Sequence, residues 1–340
     1  MQPFSEYSRA FLSGGKRFRA LFSYWGFKAI ADAPVALGEA LEPSDDDLSV
    51  VVGVAAALEM FHAAALVHDD LIDNSETRRG APAAHVRFRE LHGKSGYLGS
   101  ADRFGRSAAI LFGDLLLGWS DELLDDALMH LPDRAAARMA RYEFNQMRTE
   151  VTAGQYLDVL EEQAWNTVDV TEQRMRAERV ALYKSAKYSV EAPLIIGAAI
   201  AGATARDRTT LSRYGRPLGM AFQLRDDLLG VFGDPAVTGK PAGDDLIEGK
   251  RTVLIAMARE RLSPGARAVL DELLGDRNLS AEQVAMLQTT IVDSGATAEL
   301  EQLISDNVSQ ALTALDEGEL ARGATAELRR LAQSVSQRSH

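Results

Sequence analysis

"FHAAALVHDDLIDNSETRRG", residues 61–80, follows a small, apolar run with three aspartates in five positions and then two adjacent arginines. Acidic runs most often lie on solvated surface. This one ends an apolar stretch. The preceding "DDDLSVVVGVAAALEMFHAAALVHDDLID" reads as one long helix rich in Ala and Leu, opened by Ser44 or Asp45 near the N-cap. On such a helix Asp69 and Asp73 share a face one turn apart, where like charges repel unless something positive sits between them. Hard oxygen donors without Cys or extra His favour Mg²⁺ over Zn²⁺, and Mg²⁺ takes only one or two carboxylates, leaving room for phosphate oxygens.

Outward from that helix the pattern stays helical. "DRFGRSAAILFGDLLLGWSDELLDDALMHL", ended by Pro132, "DRAAARMARYEFNQMRTEVTAGQYLDVLEEQ", "TEQRMRAERVALYKSAKYSVEAPLIIGAAIAGA" and "RTTLSRYGRPLGMAFQLRDDLLGVFGD" each read as helices. Three or four shorter amphipathic ones follow, broken at "LSPGA", "GDRNLSAEQ" and "DSGATAEL". Runs alternating with period two are scarce, so no sheet is expected. Without repeats or a composition shift, residues 1–340 are predicted to form one all-α domain, a large helical bundle around a central cavity. Two long links, "ETRRGAPAAHVRFRELHGKSGYLGSADRF" and "FGDPAVTGKPAGDDLIEGKRT", read as binding loops.

Composition narrows the function. Of 340 residues, 46% are hydrophobic and 25% charged, which is ordinary globular usage. The absence of Cys removes disulfide and thiolate chemistry and suits a reducing cytoplasm. No apolar core marks a signal peptide; of the two most apolar stretches, Glu59 and His62 interrupt 50–67 and 192–203 is too short to span a bilayer, so no integral membrane segment is expected. A net charge of −12 argues against a nucleic-acid surface. An acidic protein that handles phosphate must gather its bases locally.

A second acidic pair, Asp226 and Asp227, ends another apolar helix in "FQLRDDLLGVFGD"; the position matching Asp73 is Gly230. Two such clusters are costly unless they share something positive, and facing each other across a bundle they could hold metal and a diphosphate. The candidate bases are Lys16 and Arg19 in "GGKRFR", Arg78, Arg79, Lys184, Lys240 and Lys250. His62 lies two turns before Asp69 on about the same face; a core role and a phosphate contact are both open to it. His68 and His85 read as structural. "GDPAVTGKP" is no Walker motif: five residues separate its glycines where the motif has four, and Pro241 stands where Ser or Thr is needed.

Seven stretches in order, "GGKRFR", "HDDLIDNSETRRG", "GQYLD", "LYKSAKYSVEAPL", "FQLRDDLL", "TGKP" and "DDLIEGKRT", resemble the trans-isoprenyl diphosphate synthases, or polyprenyl synthetases, over nearly the whole chain. The two-residue spacing before Asp73 is similar to that of geranylgeranyl diphosphate synthases. The resemblance implies a homodimer that condenses isopentenyl diphosphate head-to-tail with an allylic diphosphate, using three Mg²⁺. It implies that the acidic motifs Asp69, Asp70, Asp73, Asp226 and Asp227 and Lys184 are catalytic, with Asp69, Asp73 and Asp226 ligating metal. Arg78, Lys184, Ser185, Gln223, Lys240 and Lys250 would grip the allylic diphosphate, and Lys16, Arg19, His62 and Arg79 the isopentenyl diphosphate. Ser185 replaces the usual threonine but keeps the hydroxyl. Gly230 puts the third metal site in doubt, and a start so near "GGKR" implies that a leading helix is missing.

The growing tail is expected to run down the helix from Asp69 past small Ala65 and Ala64 to Phe61, the first large plug, about 12 Å below the metal. That length predicts geranylgeranyl diphosphate, with farnesyl diphosphate or slightly longer products also open. A class I terpene cyclase would not need the second group of bases. A non-catalytic subunit of a heteromer has only Gly230 in its favour, and a purely structural bundle explains none of the clusters.

Overall fold

The computed structural model describes residues 2–33, 45–234 and 243–336. Ser44 and Lys240, both singled out above, lie outside them. Among the described residues the chain is helical almost throughout, as the periodicity predicts. A helix does precede "GGKRFR": α1 spans Gln2–Leu12 and α2 Phe18–Ala31. The decisive stretch ends α3, Asp45–Ile72. Much of this helix is buried, with Val51, Val54, Ala57, Ala64 and Val67 sealed from solvent, while Val52 and Ile72 remain exposed. Helices hydrophobic all round belong in a core. By length and composition Leu48–Ile72 could also cross a membrane. Here it is wrapped instead by α2 and by α5, Ala101–Met129.

The first polar link holds more structure than its composition suggests. Thr77–Arg78 and Ala81–Pro82 pair antiparallel, a miniature hairpin in a chain expected to have no sheet. Its two-residue loop, Arg79–Gly80, has φ of +54° and +72°, the positive pair that a type I′ turn demands. Helix α4, Ala84–Lys94, follows; His85, Phe88 and His92 recur at helical spacing and are buried, a pattern masked by its charges.

Helix α6 runs Arg134–Ala164, capped by Asp133, and α7 runs Val170–Val180, capped by Asp169. The latter continues into a π-helical stretch, Ala181–Glu191, and then α8, Ala192–Ile200. Thr204 and Asp207 form a reciprocal capping box that starts α9, Ala205–Phe232. Short α10, Asp244–Glu248, precedes α11, Val253–Arg261, α12, Pro264–Leu273, α13, Ala281–Asp293, α14, Ala296–Asp316, and α15, Arg322–Ser336. The breaks fall at the three expected places, and one more separates α14 from α15. These last two pack on α9, where the Tyr214 hydroxyl donates to the Leu328 carbonyl at 2.8 Å.

One crossing sets the site. A Cβ on Gly154 of α6 would lie 2.3 Å from the Lys184 backbone nitrogen. Glycine alone lets α6 and the π-helical stretch touch there. Gly154→Val is expected to cost about 1–3 kcal/mol and to displace Lys184. Thermal melting should show a Tm lower by several degrees, with catalytic turnover falling further than the lost fold accounts for.

Candidate active site

The first acidic motif is held by three cations. The Arg78 guanidinium donates to Asp70 through Nε at 2.7 Å and meets Asp69 at 3.2 Å. Asp70 is fully sealed from solvent. Lys184 reaches Asp69 at 3.2 Å and donates to Asp158, one turn beyond Gly154 on α6. Lys250 stands 3.8 Å from Asp73, 3.7 Å from Asp245 and 2.8 Å from Glu248. π-Helical turns widen a helix and often mark functional sites; this one presents Lys184 and Ser185 together.

Across the space lies the second acidic pair. Asp226, Asp227, Gln223 and Gly230 of α9 line one 510 Å³ cavity with Lys16, Asp69, Arg78, Asp158, Lys184, Ser185, Asp245, Lys250 and Arg251. Asp73 does not line it directly but faces Lys250. The Gln223 amide N–H donates to Asp227 at 2.8 Å, which leaves the carbonyl end of the amide for the cavity.

The charges show where compensation is short. Burial pushes Asp69 up, but Lys184, Arg78 and Lys250 outweigh it and hold the carboxyl down at about 2. Burial and the Asp69 charge raise Asp73 to about 6, against Lys184 and Lys250. Burial drives Asp227 to about 8; the Gln223 hydrogen bond opposes this, while Asp245 and Asp226 add to it. Glu162 is raised to about 7 by burial and by Asp158. Burial thus keeps Asp73 on one wall and Asp227 on the other well above the ordinary carboxyl range.

The four bases assigned to the other substrate also come together. Lys16, Arg19, His62 and Arg79 line a small adjoining cleft with Arg17, Glu59 and Ser189. Lys16 borders both spaces. Arg19 donates to Ser189 Oγ at 2.7 Å and lies 4.2 Å over the Tyr188 ring. The Tyr188 hydroxyl is 3.0 Å from His62 Nδ1. Burial, then Arg19, Arg79 and Arg78, lower the His62 pKa well below its ordinary value, so the ring is neutral. Burial lowers the Arg79 pKa too, with Arg17 and Arg78 adding to it. A cleft crowded with cations is prepared for an anion.

Asp158, Tyr188 and Asp245 lie within the ordered motifs, and the fold brings them onto the predicted bases Lys184, His62 and Lys250. The three tail-length residues do not share a wall. Phe61 packs edge-on to Phe144 and Tyr188, 6.0 and 5.8 Å away between ring centroids. Ala64 belongs to a different cluster, with Phe88 and Phe112 toward α4 and α5, and Ala65 is half-buried.

Acidic walls facing across a helical cavity, beside a cationic cleft, define a synthase built to hold two anionic substrates against each other. Residues 2–291 match the polyprenyl synthetase family model, and the chain belongs to that family, whose members are prenyltransferases. It is 39% identical to a geranylgeranyl pyrophosphate synthase of Corynebacterium glutamicum complexed with isoprenyl diphosphate and magnesium, with a TM-score of 0.90 over 99% of this chain and 91% of that one. It is 32% identical to a short chain isoprenyl diphosphate synthase of Methanocaldococcus jannaschii over 70% of this chain and 65% of that one. The geranylgeranyl diphosphate synthase of Sulfolobus acidocaldarius is 32% identical over 81% and 72% of the two chains.

The raised carboxyls give a pH test. Asp227 binds its proton more tightly in the folded state, at about 8, than an ordinary aspartate does, at 3.8. Between those values the folded state holds more protons, so stability falls as pH rises. The metal-free protein should lose Tm steadily from pH 5 to 8, and Asp227→Asn should flatten the slope. An unchanged slope in that variant would exclude Asp227 as the source.

Proposed function

We propose that the protein condenses isopentenyl diphosphate head-to-tail with dimethylallyl, geranyl or farnesyl diphosphate, releasing all-trans geranylgeranyl diphosphate. The observation that carries this reading is the pair of adjoining sites bordered by the common Lys16: one has acidic walls, and the other gathers Lys16, Arg17, Arg19 and Arg79 against the single carboxylate of Glu59. A cyclase handles one diphosphate and has no use for the second cleft.

The donor set suits Mg²⁺. Its atoms are carboxylate oxygens, and burial, with neighbouring carboxylates, raises Asp73 and Asp227. Among the described residues no three such side chains converge tightly enough to cage an ion unaided, which fits an ion that completes its shell from substrate oxygens. Asp69 and Asp73 on one wall and Asp226 on the other would hold the metal, three ions per site in this reading, and their charge would stabilise the departing diphosphate.

The chain's own part follows from placement. Lys184, Lys250 and Arg78 stabilise negative charge as the allylic C–O bond breaks, and Lys240 joins them in this reading. The Ser185 hydroxyl and Gln223 carbonyl lie beside the allylic cation. Lys16, Arg19, Arg79 and His62 fix the isopentenyl diphosphate so that its double bond meets that cation. Preorganised charges in a poorly hydrated cavity are worth far more than in water. The released diphosphate takes the final proton, so no protein base is required.

We assign the product ruler to Ala65 and Phe61, since Ala64 packs on the α4–α5 side. The working unit in this reading is a single-domain chain in a cytoplasmic homodimer; Ile110 and Leu111, 50% and 62% exposed on α5, offer an apolar face for the second copy.

Mass spectrometry of the products tests the reading. Purified protein with isopentenyl diphosphate, Mg²⁺ and a five-, ten- or fifteen-carbon allylic diphosphate should yield the twenty-carbon diphosphate, and chelation should abolish it. Cyclic hydrocarbon from one allylic diphosphate alone would make it a cyclase. No product from any of the three would favour a non-catalytic subunit. Asp69→Asn should lower kcat by roughly 10²–10³. Phe61→Ala should lengthen the product; an unchanged distribution would refute the plug.

A further inference from the structure

Arg277 falls in "GDRNLSAEQ", a break between helices that lies outside the seven ordered motifs. It is exposed, on the link between α12 and α13, and is not among the residues that line the cavity. Yet its Nη2 donates to the Asp73 carbonyl at 3.1 Å, across 204 positions of chain.

The end of α3 has need of a cation there. The last carbonyls of a helix have no intrahelical partner and carry the negative end of its dipole. Asp69, Asp70 and Asp73 add three carboxylates at that same end. Arg78, Lys184 and Lys250 meet the carboxylates from the cavity side. Arg277 meets the backbone instead. Arg106 of α5 donates to the Asn74 side chain just beyond, where a φ of +53° turns the chain out of the helix.

The link that carries Arg277 is held firmly. Asp276 accepts from the Asn278 nitrogen at 2.9 Å, and Ser280 and Gln283 form a capping box that starts α13. The Gly275 nitrogen donates to the Leu246 carbonyl of α10 at 2.9 Å. A Cβ on Gly249 would lie 2.8 Å from Gly275 Cα, and both glycines have positive φ, so the two backbones touch where a side chain would part them. The α10 side is tied to the same turn, since Ser75 Oγ donates to Glu248 at 2.8 Å. Contacts thus run in a closed circuit from the end of α3 to the link, from the link to α10, and from α10 back to the turn after α3.

We propose that Arg277 is a positioning residue for the metal-bearing diphosphate: it fixes the end of α3 against the link and α10, and so keeps the Asp73 carboxylate in register with Asp69. This deepens the function proposed above and rests on it. Arg277 touches neither substrate nor metal and acts through the backbone of Asp73.

Calorimetric titration of the whole protein with inorganic pyrophosphate, at a series of Mg²⁺ concentrations, separates this role from simple bracing of the fold. The variants are Arg277→Met, Arg277→Lys and Asp69→Asn, with Arg213→Met, which loses a surface ion pair to Glu317, as the control. Arg277→Met should raise the half-saturating Mg²⁺ concentration roughly fivefold, the size of one charge-assisted hydrogen bond in an exposed place. Its Tm should stay within about 2 °C of the parent's. Arg277→Lys keeps the charge and should recover part of the loss. A lower Tm with an unchanged Mg²⁺ dependence would reduce Arg277 to a brace and overturn the proposal. An equal shift in Arg213→Met would make the effect one of net charge and overturn it too. If Asp69→Asn raises the Mg²⁺ requirement and Arg277→Met does not, this inference alone fails. If neither does, the reading of the acidic wall as metal-binding fails with it.

The link is tested from its other anchor. Gly275→Ala strains a backbone held at φ +96° and should raise the Mg²⁺ requirement in the same direction. Combined with Arg277→Met it should cost less than the two single changes together, because both release the same segment. Strictly additive shifts would overturn the circuit.

Discussion

Buried negative charge is the constraint on which the molecule turns. Two acidic motifs face one cavity, and removing a carboxylate from water is costly unless something positive stands against it. The chain meets part of this with its own cations: Arg78 clamps Asp70 and Asp69, Lys184 lies between Asp69 and Asp158, and Lys250 serves Asp73, Asp245 and Glu248. The compensation is incomplete at Asp73 and Asp227, on opposite sides of the space. In the proposed function, metal arriving with a diphosphate would supply the positive charge that these two carboxyls face too little of. Full internal neutralisation would have produced a more stable protein with less reason to bind anything.

The backbone irregularities serve that arrangement. Gly154 admits the π-helical stretch close to α6, which sets Lys184 against Asp158. The positive φ of Arg79 is a conformation that non-glycine residues adopt only at some cost. It turns the chain between two neighbouring arginines. Arg78 goes to the acidic wall and Arg79 to the cationic cleft.

Much of this was legible in the residues, because helix periodicity is local and charge on an apolar helix is conspicuous. The long helix, the two acidic clusters and the four bases of the second cleft followed from spacing and from ordered motifs. The hairpin at Thr77–Pro82 was not, since two paired residues per strand leave no alternation to read. Helix α4 was hidden because its buried face includes His85 and His92, which count as polar in any pattern. Ala64 and Phe61 are three residues apart, close enough to be taken as one wall, yet they pack into separate clusters.

The two clefts are coupled through charge as well as through the hairpin. Arg78, bound to the acidic wall, also helps depress the pKa values of His62 and Arg79 in the other cleft. Anything that draws Arg78 toward a diphosphate on the acidic side alters the positive potential felt on the cationic side. An anion bound there in turn relieves repulsion among Arg17, Arg19 and Arg79, all crowded within one small space. Each substrate thus changes the electrostatic surroundings of the other before any bond forms.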